Sequence, residues 1–375
     1  MQNNRFIYKF YYGWWKNIDK TIFLIIILLF TLGLFFSLAS TSLIASDKLD
    51  TNSYFFFFKH LAYICLGIFV IIFFSSLSEK NLFRTSILLF FVFLFFLALV
   101  PIIGVEVNLA KRWLDLFLLP RFQPIELLKP FVIILLATIL SSKKNFHIYF
   151  KYFLSFIVIL PIALLLIMQP DIGQTLLVFL SWLSLIFISG VSLFVFFTFF
   201  GASFITLLCL IFFVPRFEYI RNRIDSFINP STGTHTAQPE KAIEAIVSGG
   251  FFGKGIGEGT LKNRVSEAHT DFIVSVISEE FGVVVIILLL IIFLFFIYQV
   301  FKKLYFEKDD KIKLILVGSI SIILFQALIH IGVNIRLFPT TGMTLPFLSY
   351  GGSSILGTAI LSGIILNLTK RRINQ

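Results

Sequence analysis

Long apolar runs recur along this chain from near its first residue to near its last. A helix needs about 20 mostly apolar residues to cross the hydrocarbon core of a membrane, and ten runs approach or exceed that length. They lie at residues 22–45, 55–76, 86–103, 124–141, 150–168, 173–190, 193–214, 273–300, 312–335 and 346–369. Charged residues make up only 14% of the chain, against about 25% in soluble domains. The sequence therefore predicts an all-α, polytopic membrane protein with about ten transmembrane helices.

The distribution of lysine and arginine predicts the orientation. If the N-terminus is cytoplasmic, the inner segments hold 17 of these cations and the short outer loops hold six. Cytoplasmic loops carry the excess of Lys and Arg, so both termini are expected in the cytoplasm. Residues 1–20 mix aromatic rings with cations, which favours an interfacial tail. The net charge of +11 is then explained by anionic lipid, and no nucleic-acid partner is expected.

Residues 215–272 form a large loop between the seventh and eighth runs, on the extracytoplasmic side in this topology. The loop carries seven cations, among them Arg216, Arg221 and Arg223. Apolar residues at helical spacing over 238–247, followed by closely spaced glycines, predict a short helix and a turn-rich connector. We therefore treat 1–375 as one membrane domain with an ordered outer loop.

Charged residues also occur around the start of the fourth run, where burial in lipid would be costly. Glu126 and Lys129 are three positions apart, so they share one helical face. One interpretation is an ion pair that holds two helices together. The other is that Lys111, Arg112 or Lys129 faces an anionic headgroup, and the residues alone leave both open.

Two aspartates stand at the outer ends of predicted spans. Asp171 follows Gln169 and Pro170, and Asp271 begins a polar stripe that continues to Ser275 and Ser278. Either carboxylate could cap a helix by accepting backbone N–H groups. Asp271 could instead act as a general base, and the spacing does not decide between these roles.

The segment from Asn334 to Ser354 contains two prolines and three glycines, so it cannot form one uninterrupted helix. Irregular backbone at membrane depth is tolerated only where protein or a water-filled cavity satisfies it. Close helix packing through small residues and the wall of a polar groove are both compatible with this segment. The histidines and the two cysteines show no zinc-ligand spacing, and the identity of any metal is left unknown.

Taken in order on ten spans, these motifs resemble the SEDS (shape, elongation, division and sporulation) family of peptidoglycan polymerases. The matching motifs are Lys111-Arg112-Trp113, Phe122-Gln123-Pro124, Gln169-Pro170-Asp171, Ser248-Gly249-Gly250, the run Glu267 to Phe272 and the run Leu345 to Ser354. Gly332-Val333-Asn334 and Gly342-Met343-Thr344 resemble the cell-division branch more than the elongation branch, which is the alternative. Ile125 departs from the serine that is usual in the family.

The resemblance implies glycosyl transfer from lipid II, with undecaprenyl pyrophosphate as the leaving group. Asp271 aligns with the family's proposed catalytic acid and would be the general base on the GlcNAc 4-hydroxyl. The candidates for binding the lipid II headgroup and pyrophosphate are Lys111, Arg112, Lys129, Gln169, Asp171, Arg216, Arg221, Arg223, His269, Ser349 and Tyr350. A divalent cation, Mg²⁺ or Mn²⁺, is a further candidate, and no organic cofactor is expected.

The same resemblance implies a class B penicillin-binding protein transpeptidase and other divisome proteins as partners. It also implies residence in the bacterial cytoplasmic membrane at the division septum. One rival hypothesis is a lipid II flippase or secondary transporter, which is often built from internal repeats that this sequence does not show. The other is a non-enzymatic division scaffold, in which Asp271 would have no chemical role.

Overall fold

The structure is a computed structural model that describes residues 13–40, 54–107, 110–117, 119–142, 147–214, 217–228, 237–261 and 267–370. A helical turn at 13–17 precedes the first long helix. In chain order the elements are α1 (Lys20–Ser40), α2 (Phe55–Ser76), α3 (Glu79–Ile103), β1 (Val105–Val107), β2 (Ala110–Leu116), β3 (Leu119–Phe122), α4 (Pro124–Leu140), α5 (Ile148–Met168), α6 (Ile172–Ile188), α7 (Leu193–Phe213), α8 (Glu218–Ile228), α9 (Ala237–Gly249), α10 (Ile273–Phe306), α11 (Asp310–Asn334) and α12 (Gly352–Leu368).

The long helices coincide with the predicted apolar runs. Six of the described helices are long and apolar enough to cross a membrane by length and composition. These candidate spans are Lys20–Leu38, Phe55–Ser76, Glu79–Ile103, Ile148–Met168, Ile273–Phe306 and Asp310–Asn334. Ile172–Ile188, Leu193–Ala202 and Gly352–Leu368 are shorter apolar helices. The prediction of an all-α, polytopic membrane protein is confirmed, whereas the number of ten crossings stays a prediction.

The last helix, α12, occupies the centre of the bundle, and nearly all of its residues are buried. It fits between α2 and α4 because small residues face one another. A Cβ built on Gly67 would lie 3.4 Å from Ala359 Cβ, and one on Gly357 would meet the Glu126 carbonyl oxygen at 2.3 Å. At the far end of α12, Asn367 Nδ2 donates to the Leu77 carbonyl at 2.8 Å. α12 thus supports both neighbouring helices along their length.

A small antiparallel sheet, in the order β1-β2-β3, follows α3. Val105 pairs with Trp113, and Leu114 pairs with Phe122. This sheet is a departure from the purely helical prediction. In β2, Ala110 and Leu114 are buried, whereas Arg112 and Trp113 are half-buried. Arg112 and Trp113 line one cavity together with residues at the start of α4.

The long helix α10 is interrupted at Gly282, whose φ of 81° and ψ of 172° are not helical. Residues 250–261, hereafter the connector, dock against this break. Backbone N–H groups of Lys254 and Gly255 donate to the carbonyls of Glu279 and Glu280 at 2.9 and 3.0 Å. The side chain of Glu280 also binds the connector, because its Oε1 accepts the Gly257 N–H at 3.3 Å. Hence the large loop is ordered where the structure describes it.

Residues 335–351, hereafter the central loop, join α11 to α12 without forming a helix. Phe347 in this loop is buried and has a φ of 67°. Its ring packs edge-on against Phe30 of α1, with 5.2 Å between the ring centroids. The centroid of the Phe293 ring of α10 lies 6.1 Å from that of Phe347. The central loop therefore turns back among the helices, which places its polar residues beside the ends of α4 and α10.

Candidate functional site

A polar cavity of about 540 Å³ lies where widely separated segments of the chain meet. Its walls come from the sheet, the start of α4, helices α8 and α9, the turn 267–272 and the central loop. The polar and charged residues that line it include Arg112, Gln123, Glu126, Arg223, Gln238, Glu267, Thr270, Asp271, Thr344, Tyr350, Ser353 and Ser354. The cavity is large enough for part of a polar substrate and carries charges of both signs.

Asp271 lies on the cavity wall, just before α10 begins. The N-cap residue of α10 is Phe272, and no side chain caps the helix there. The hypothesis that Asp271 is a helix cap is therefore not supported by the structure. Its half-buried carboxyl group faces the cavity instead, so it is placed where it can exchange a proton with a bound molecule.

The backbone of the turn 267–272 is held from two sides. From α11, Asn334 Nδ2 donates to the Asp271 carbonyl at 3.0 Å, and Asn334 Oδ1 accepts the Ser275 N–H at 3.3 Å. From the central loop, Ser349 Oγ donates to the Thr270 carbonyl at 2.7 Å. The Tyr350 N–H also donates to a carbonyl of the turn, at 3.0 Å. These bonds fix the position of the Asp271 carboxyl relative to the cavity.

The environment of Asp271 changes its acidity. Burial raises the pKa of this carboxyl to about 7, and the negative charge of Glu267 acts in the same direction. Arg112 and Arg223 lower the pKa and Asp171 raises it, but these effects do not cancel the burial. A general base works best when its pKa lies near the ambient pH, and Asp271 satisfies this condition.

Two arginines supply positive charge to the cavity. Arg112 Nε lies 3.8 Å from Asp171 Oδ2, and a guanidinium N–H of Arg112 also donates to the Pro170 carbonyl. Arg223 comes from α8, and its Nη1 donates to the Thr340 carbonyl at 2.7 Å. Guanidinium groups bind phosphate oxygens through charge-assisted hydrogen bonds, so both arginines are suited to hold an anionic ligand.

Asp171 supports Arg112 from behind and also caps α6. Its Oδ1 accepts the Gln174 N–H at 3.4 Å, which agrees with the helix-cap interpretation. Its Oδ2 accepts a hydrogen bond from Gln123 Nε2 at 2.8 Å. Gln169, two residues earlier, is buried and donates to the Leu97 carbonyl at 3.2 Å. The Gln169-Pro170-Asp171 motif thus holds the arginine.

A buried polar network begins at the cavity and continues into the bundle. Lys129 Nζ lies 2.9 Å from Glu126 Oε2 and donates to Gln326 Oε1 at 3.1 Å. Gln174 Nε2 donates to the other oxygen of Glu126, and Gln326 Nε2 donates to the Thr344 carbonyl at 3.0 Å. Glu126 and Lys129 therefore form an ion pair in the interior, as the first interpretation expected.

The structure separates the predicted site residues into groups. Arg112, Arg223, Asp271 and Tyr350 line the cavity, whereas Lys111, Lys129, Gln169, Asp171, Arg221, His269 and Ser349 are not among its lining residues. Lys111 is exposed on β2, and Arg221 donates to backbone carbonyls at the end of α7, one of them Ile211 at 3.4 Å. Arg216 lies outside the described residues. A substrate-binding role stays a prediction for all of them.

Three aromatic rings meet beside the cavity. The centroids of Phe56 and His269 are 4.9 Å apart, and Tyr350 lies 5.8 Å from Phe56 and 5.7 Å from His269. Burial lowers the pKa of His269 and raises the pKa of Tyr350 to about 12. Tyr350 therefore keeps its phenolic proton at neutral pH, and the ring cluster joins α2 to the turn that carries Asp271.

A resident metal ion would need a group of His, Cys, Asp or Glu side chains as ligands. Within the described ranges, no three or more His, Cys, Asp or Glu residues are grouped so that they could hold a metal. Arg112 and Arg223 bring positive charge to the cavity. A divalent cation stays a prediction, and the described part of the chain shows no group of ligands for it.

Sequence reasoning missed two members of the buried network, Gln174 and Gln326. Both are amides inside apolar runs, and both are buried. Burying a polar side chain within a transmembrane run costs free energy unless the side chain has a hydrogen-bond partner. The two amides inside apolar runs were therefore the only sequence feature that pointed to this network. Their partners come from α4, the start of α12 and the central loop, so the spacing along the chain gave no indication of them.

The known proteins that this chain resembles are cell cycle proteins of one family. The model of the cell cycle protein family FtsW/RodA/SpoVE matches residues 19–374. The "Probable peptidoglycan glycosyltransferase FtsW" of Caulobacter vibrioides (strain NA1000 / CB15N) is 31% identical over 366 residues, which cover 96% of this chain and 91% of that protein. "Stage V sporulation protein E" of Bacillus subtilis (strain 168) is 32% identical over 365 residues, with coverage of 94% and 97%.

Solved structures show the same fold. A chain from the structure described as "Structural coordination of polymerization and crosslinking by a peptidoglycan synthase complex" superposes with a TM-score of 0.77 at 25% identity, and covers 94% of this chain and 97% of that one. The rod shape determining protein RodA of Thermus thermophilus gives a TM-score of 0.68 at 26% identity, with coverage of 94% and 96%.

Proposed function

The chain belongs to the FtsW/RodA/SpoVE family of cell cycle proteins, and we propose that it is a peptidoglycan glycosyltransferase that polymerises lipid II at the division septum. The observation that carries the proposal is the placement of the Asp271 carboxyl on a polar cavity that Arg112 and Arg223 also line. A base and two cations on one cavity are what glycosyl transfer with a phosphate leaving group requires.

In the proposed reaction, Asp271 accepts the proton of the GlcNAc 4-hydroxyl on the acceptor. The hydroxyl oxygen forms a bond to the anomeric carbon of the donor MurNAc. The bond between that carbon and the pyrophosphate oxygen breaks, and undecaprenyl pyrophosphate leaves with the electron pair. The pKa of about 7 means that a substantial fraction of the Asp271 carboxyl groups is ionised at neutral pH and can take the proton.

Arg112 and Arg223 are proposed to stabilise the negative charge that develops on the pyrophosphate. The two side chains come from β2 and α8, and each is anchored by a backbone carbonyl, Pro170 for Arg112 and Thr340 for Arg223. Charged donors that are already in position cost little reorganisation during the reaction. A divalent cation, Mg²⁺ or Mn²⁺, would add to this stabilisation when bound with the substrate's pyrophosphate.

The proposed setting follows from the topology and from the relatives. We place the chain in the bacterial cytoplasmic membrane with both termini inside, so that the cavity opens toward the outer leaflet, where lipid-linked sugars lie. A class B penicillin-binding protein is the proposed partner, together with other divisome proteins, and a solved relative is described as coordinating polymerization with crosslinking. We expect low activity for the chain alone, and equal polymerisation with and without the partner would contradict this.

The decisive experiment compares Asp271→Asn with the unaltered protein, using labelled lipid II, the purified partner and a divalent cation. Because general base catalysis contributes about 10²–10⁴-fold, the variant should lose at least about 10²-fold in polymerisation rate. Asp115→Asn is the matched control, since Asp115 pairs with Arg121 on the sheet at 2.7 Å and is absent from the cavity wall. Retained polymerisation by Asp271→Asn would exclude the base role.

The same experiment separates the competing functions. A non-enzymatic scaffold would show no lipid II polymerisation in the unaltered protein, and a flippase would move labelled lipid II between leaflets without forming glycan. An elongation role instead of a septal one would leave the chemistry unchanged and would alter only where the protein localises in dividing cells.

A further inference from the structure

The connector fills the break in α10 with its own backbone. The N–H groups of Val283 and Val284 donate to the carbonyls of Gly250 and Phe251 at 3.0 and 3.3 Å. On the other side of the break, connector N–H groups donate to the carbonyls of Glu279 and Glu280. The helical groups freed at Gly282 are therefore satisfied by protein, which is the condition for non-helical backbone at membrane depth.

The depth of this junction follows from the unbroken part of α10. Lys303 lies near the end of the helix and forms an ion pair with Asp19, 2.7 Å from Nζ to Oδ2, just before α1 begins. From Lys303 back to Val283 the helix rises about 30 Å. This rise equals the thickness of the hydrocarbon core, so the connector meets α10 at the opposite boundary of that core.

A second helix gives a depth within about 6 Å of this one. Phe281 packs against Phe36 of α1 with 5.4 Å between ring centroids. Phe36 lies 16 positions after Lys20, a rise of about 24 Å from the end of α1 that carries the ion pair. Two helices thus place the junction near the boundary between hydrocarbon and headgroups.

The connector and the end of α9 present large apolar side chains outward at this level. Phe251 is 76% exposed and Phe252 is 84% exposed, and Val247 and Ile256 are also largely exposed. The Val284 N–H donates to the Phe251 carbonyl, and Val284 and Leu288, about one turn apart on α10, are 37% and 52% exposed, so exposed apolar residues of α10 directly follow the connector. In a protein that spans a bilayer, that face of α10 contacts lipid.

We propose that residues 247–256 are a re-entrant membrane anchor, with Phe251, Phe252 and Ile256 inserted among the acyl chains at the outer boundary of the bilayer. Acyl chains are the chemistry that matches these side chains, because the segment is continuous with a lipid-facing helix and its backbone is already paired. Phenylalanine is also among the residues that interfacial segments bury at the boundary between headgroups and acyl chains. The anchor does not depend on the reaction proposed above.

The charges on the connector fit this depth. Lys254 Nζ lies 3.7 Å from Glu279 Oε1, and Glu258 is exposed. A lysine at the boundary can extend its amine toward the headgroups while its chain stays in apolar surroundings. The anchor thus has apolar side chains at Phe251, Phe252 and Ile256, and the charged residue Glu258 follows it in the chain.

The anchor is directly connected to the polar cavity. Helix α9 begins beside the cavity, where Gln238 is a lining residue, and ends at Gly249 against the Ser278 carbonyl. A Cβ at position 249 would come within 1.9 Å of that oxygen, so the approach is as close as the backbones permit. Inserting the anchor therefore fixes one wall of the cavity relative to the bilayer surface.

The test is a depth measurement by spin-label electron paramagnetic resonance on the full chain in phosphatidylethanolamine and phosphatidylglycerol proteoliposomes. Cys65 and Cys209 are first replaced by alanine, and a single cysteine is then introduced as Phe252→Cys or, in a second variant, Ile256→Cys. Collisions with O₂, which concentrates in hydrocarbon, are compared with collisions with a water-soluble nickel chelate. Leu288→Cys is the lipid control and Glu258→Cys the water control.

We expect the logarithm of the O₂-to-nickel accessibility ratio to be positive at positions 252 and 256, as at 288, and negative at 258. A negative value at both 252 and 256 would place the segment in water and overturn the proposal. Low accessibility to both reagents would show that protein covers the segment, either a second copy or another part of the chain, and would overturn it as well. Equal elution profiles on size exclusion confirm that the variants are folded.

Discussion

Arg112 and Asp271 approach the same point in the cavity, the position that a Cβ on Gly342 of the central loop would occupy. That Cβ would lie 3.5 Å from Arg112 Nη1 and 3.6 Å from Asp271 Oδ2. The proposed base and one proposed pyrophosphate ligand therefore both border the small space in front of Gly342. Glycine at this position leaves that space open for the reacting atoms, and its φ of 71° also disfavours any other residue.

Replacement of Gly342 by alanine should lower activity more than stability. The methyl group would stand in ordinary van der Waals contact with Arg112 Nη1 and Asp271 Oδ2, so it would fill space that the substrate needs. A displacement of the substrate by about 1 Å can cost about 10²-fold in rate. Gly190→Ala is the matched control, because Gly190 also has a positive φ, 90°, but nothing lies within 4 Å of its Cβ position. Polymerisation rates and thermal unfolding of both variants decide the point, and equal rates would contradict the prediction.

Polymerisation should depend on pH through Asp271. Its pKa is raised to about 7, so the carboxyl is protonated below that pH and cannot accept a proton. The rate should therefore fall as the pH is lowered through about 7, and should level off above it. The measurement is kcat/KM against pH, and a flat profile between pH 5 and 8 would argue against the base role.

Removal of the charge on Glu267 should shift that profile. The negative charge of Glu267 raises the pKa of Asp271, so Glu267→Gln should lower it and move the acid limb of the profile toward lower pH. Glu106→Gln, an exposed acid on β1 that is absent from the cavity lining, should leave the limb in place. A shift toward higher pH in the Glu267 variant would have the wrong sign and would contradict the charge argument.

The ion pair between Glu126 and Lys129 should be necessary for stability as a pair. Both side chains are buried, so Lys129→Met leaves an uncompensated carboxylate and should cost about 3–5 kcal/mol. A second change, Glu126→Leu, should recover part of this loss because it removes the lone charge. Lys111→Met is the exposed control and should stay within about 0.5 kcal/mol. Thermal or denaturant unfolding in detergent is measured for the unaltered protein, Lys129→Met, Glu126→Leu, the double variant and Lys111→Met. A double variant whose loss equals the sum of the two single losses would refute the coupling.

Asn334 should act as a positioning residue for Asp271. Asn334→Leu removes the bond to the Asp271 carbonyl and the bond from the Ser275 N–H, so the turn loses one of its supports. Asn367→Leu is the control, because it removes bonds to the carbonyls of Phe74 and Leu77 far from the cavity. We expect both to lose about 1–3 kcal/mol of stability. Only the Asn334→Leu variant should show a fall in kcat with little change in KM.

The sequence predicted the helical architecture because each span has to be apolar over its own length. This requirement is local, so the ten apolar runs coincide with helices to within a few residues at most ends. The largest differences are at α3, which begins at Glu79 instead of 86, at α12, which begins at Gly352 instead of 346, and at α10, which ends at Phe306 instead of 300. The Ser78 hydroxyl accepts the Asn81 N–H at 3.4 Å and so caps α3. This cap explains why the helix begins before the apolar run.

The cavity was harder to predict because its members are distant in sequence. The motifs drew attention to Arg112 and Asp271, but not to their meeting at Gly342, since that contact joins a strand, a turn and the central loop. The sequence predicted only half of the polar network. Glu126 and Lys129 share a helical face, whereas Gln174 and Gln326 join them from other helices. The connector in the α10 break depends on backbone bonds, for which side-chain patterns give little signal.

The central position of α12 has a consequence for how the protein is made. The ribosome synthesises α12 after the described helices that precede it in the chain, yet α12 occupies the middle of the bundle, and Gly351, Ser353 and Ser354 at its start line the cavity. The preceding helices must therefore remain separable in the bilayer until α12 has left the translocon and moved between them. A chain cut before Gly351 would lack these three residues of the cavity wall.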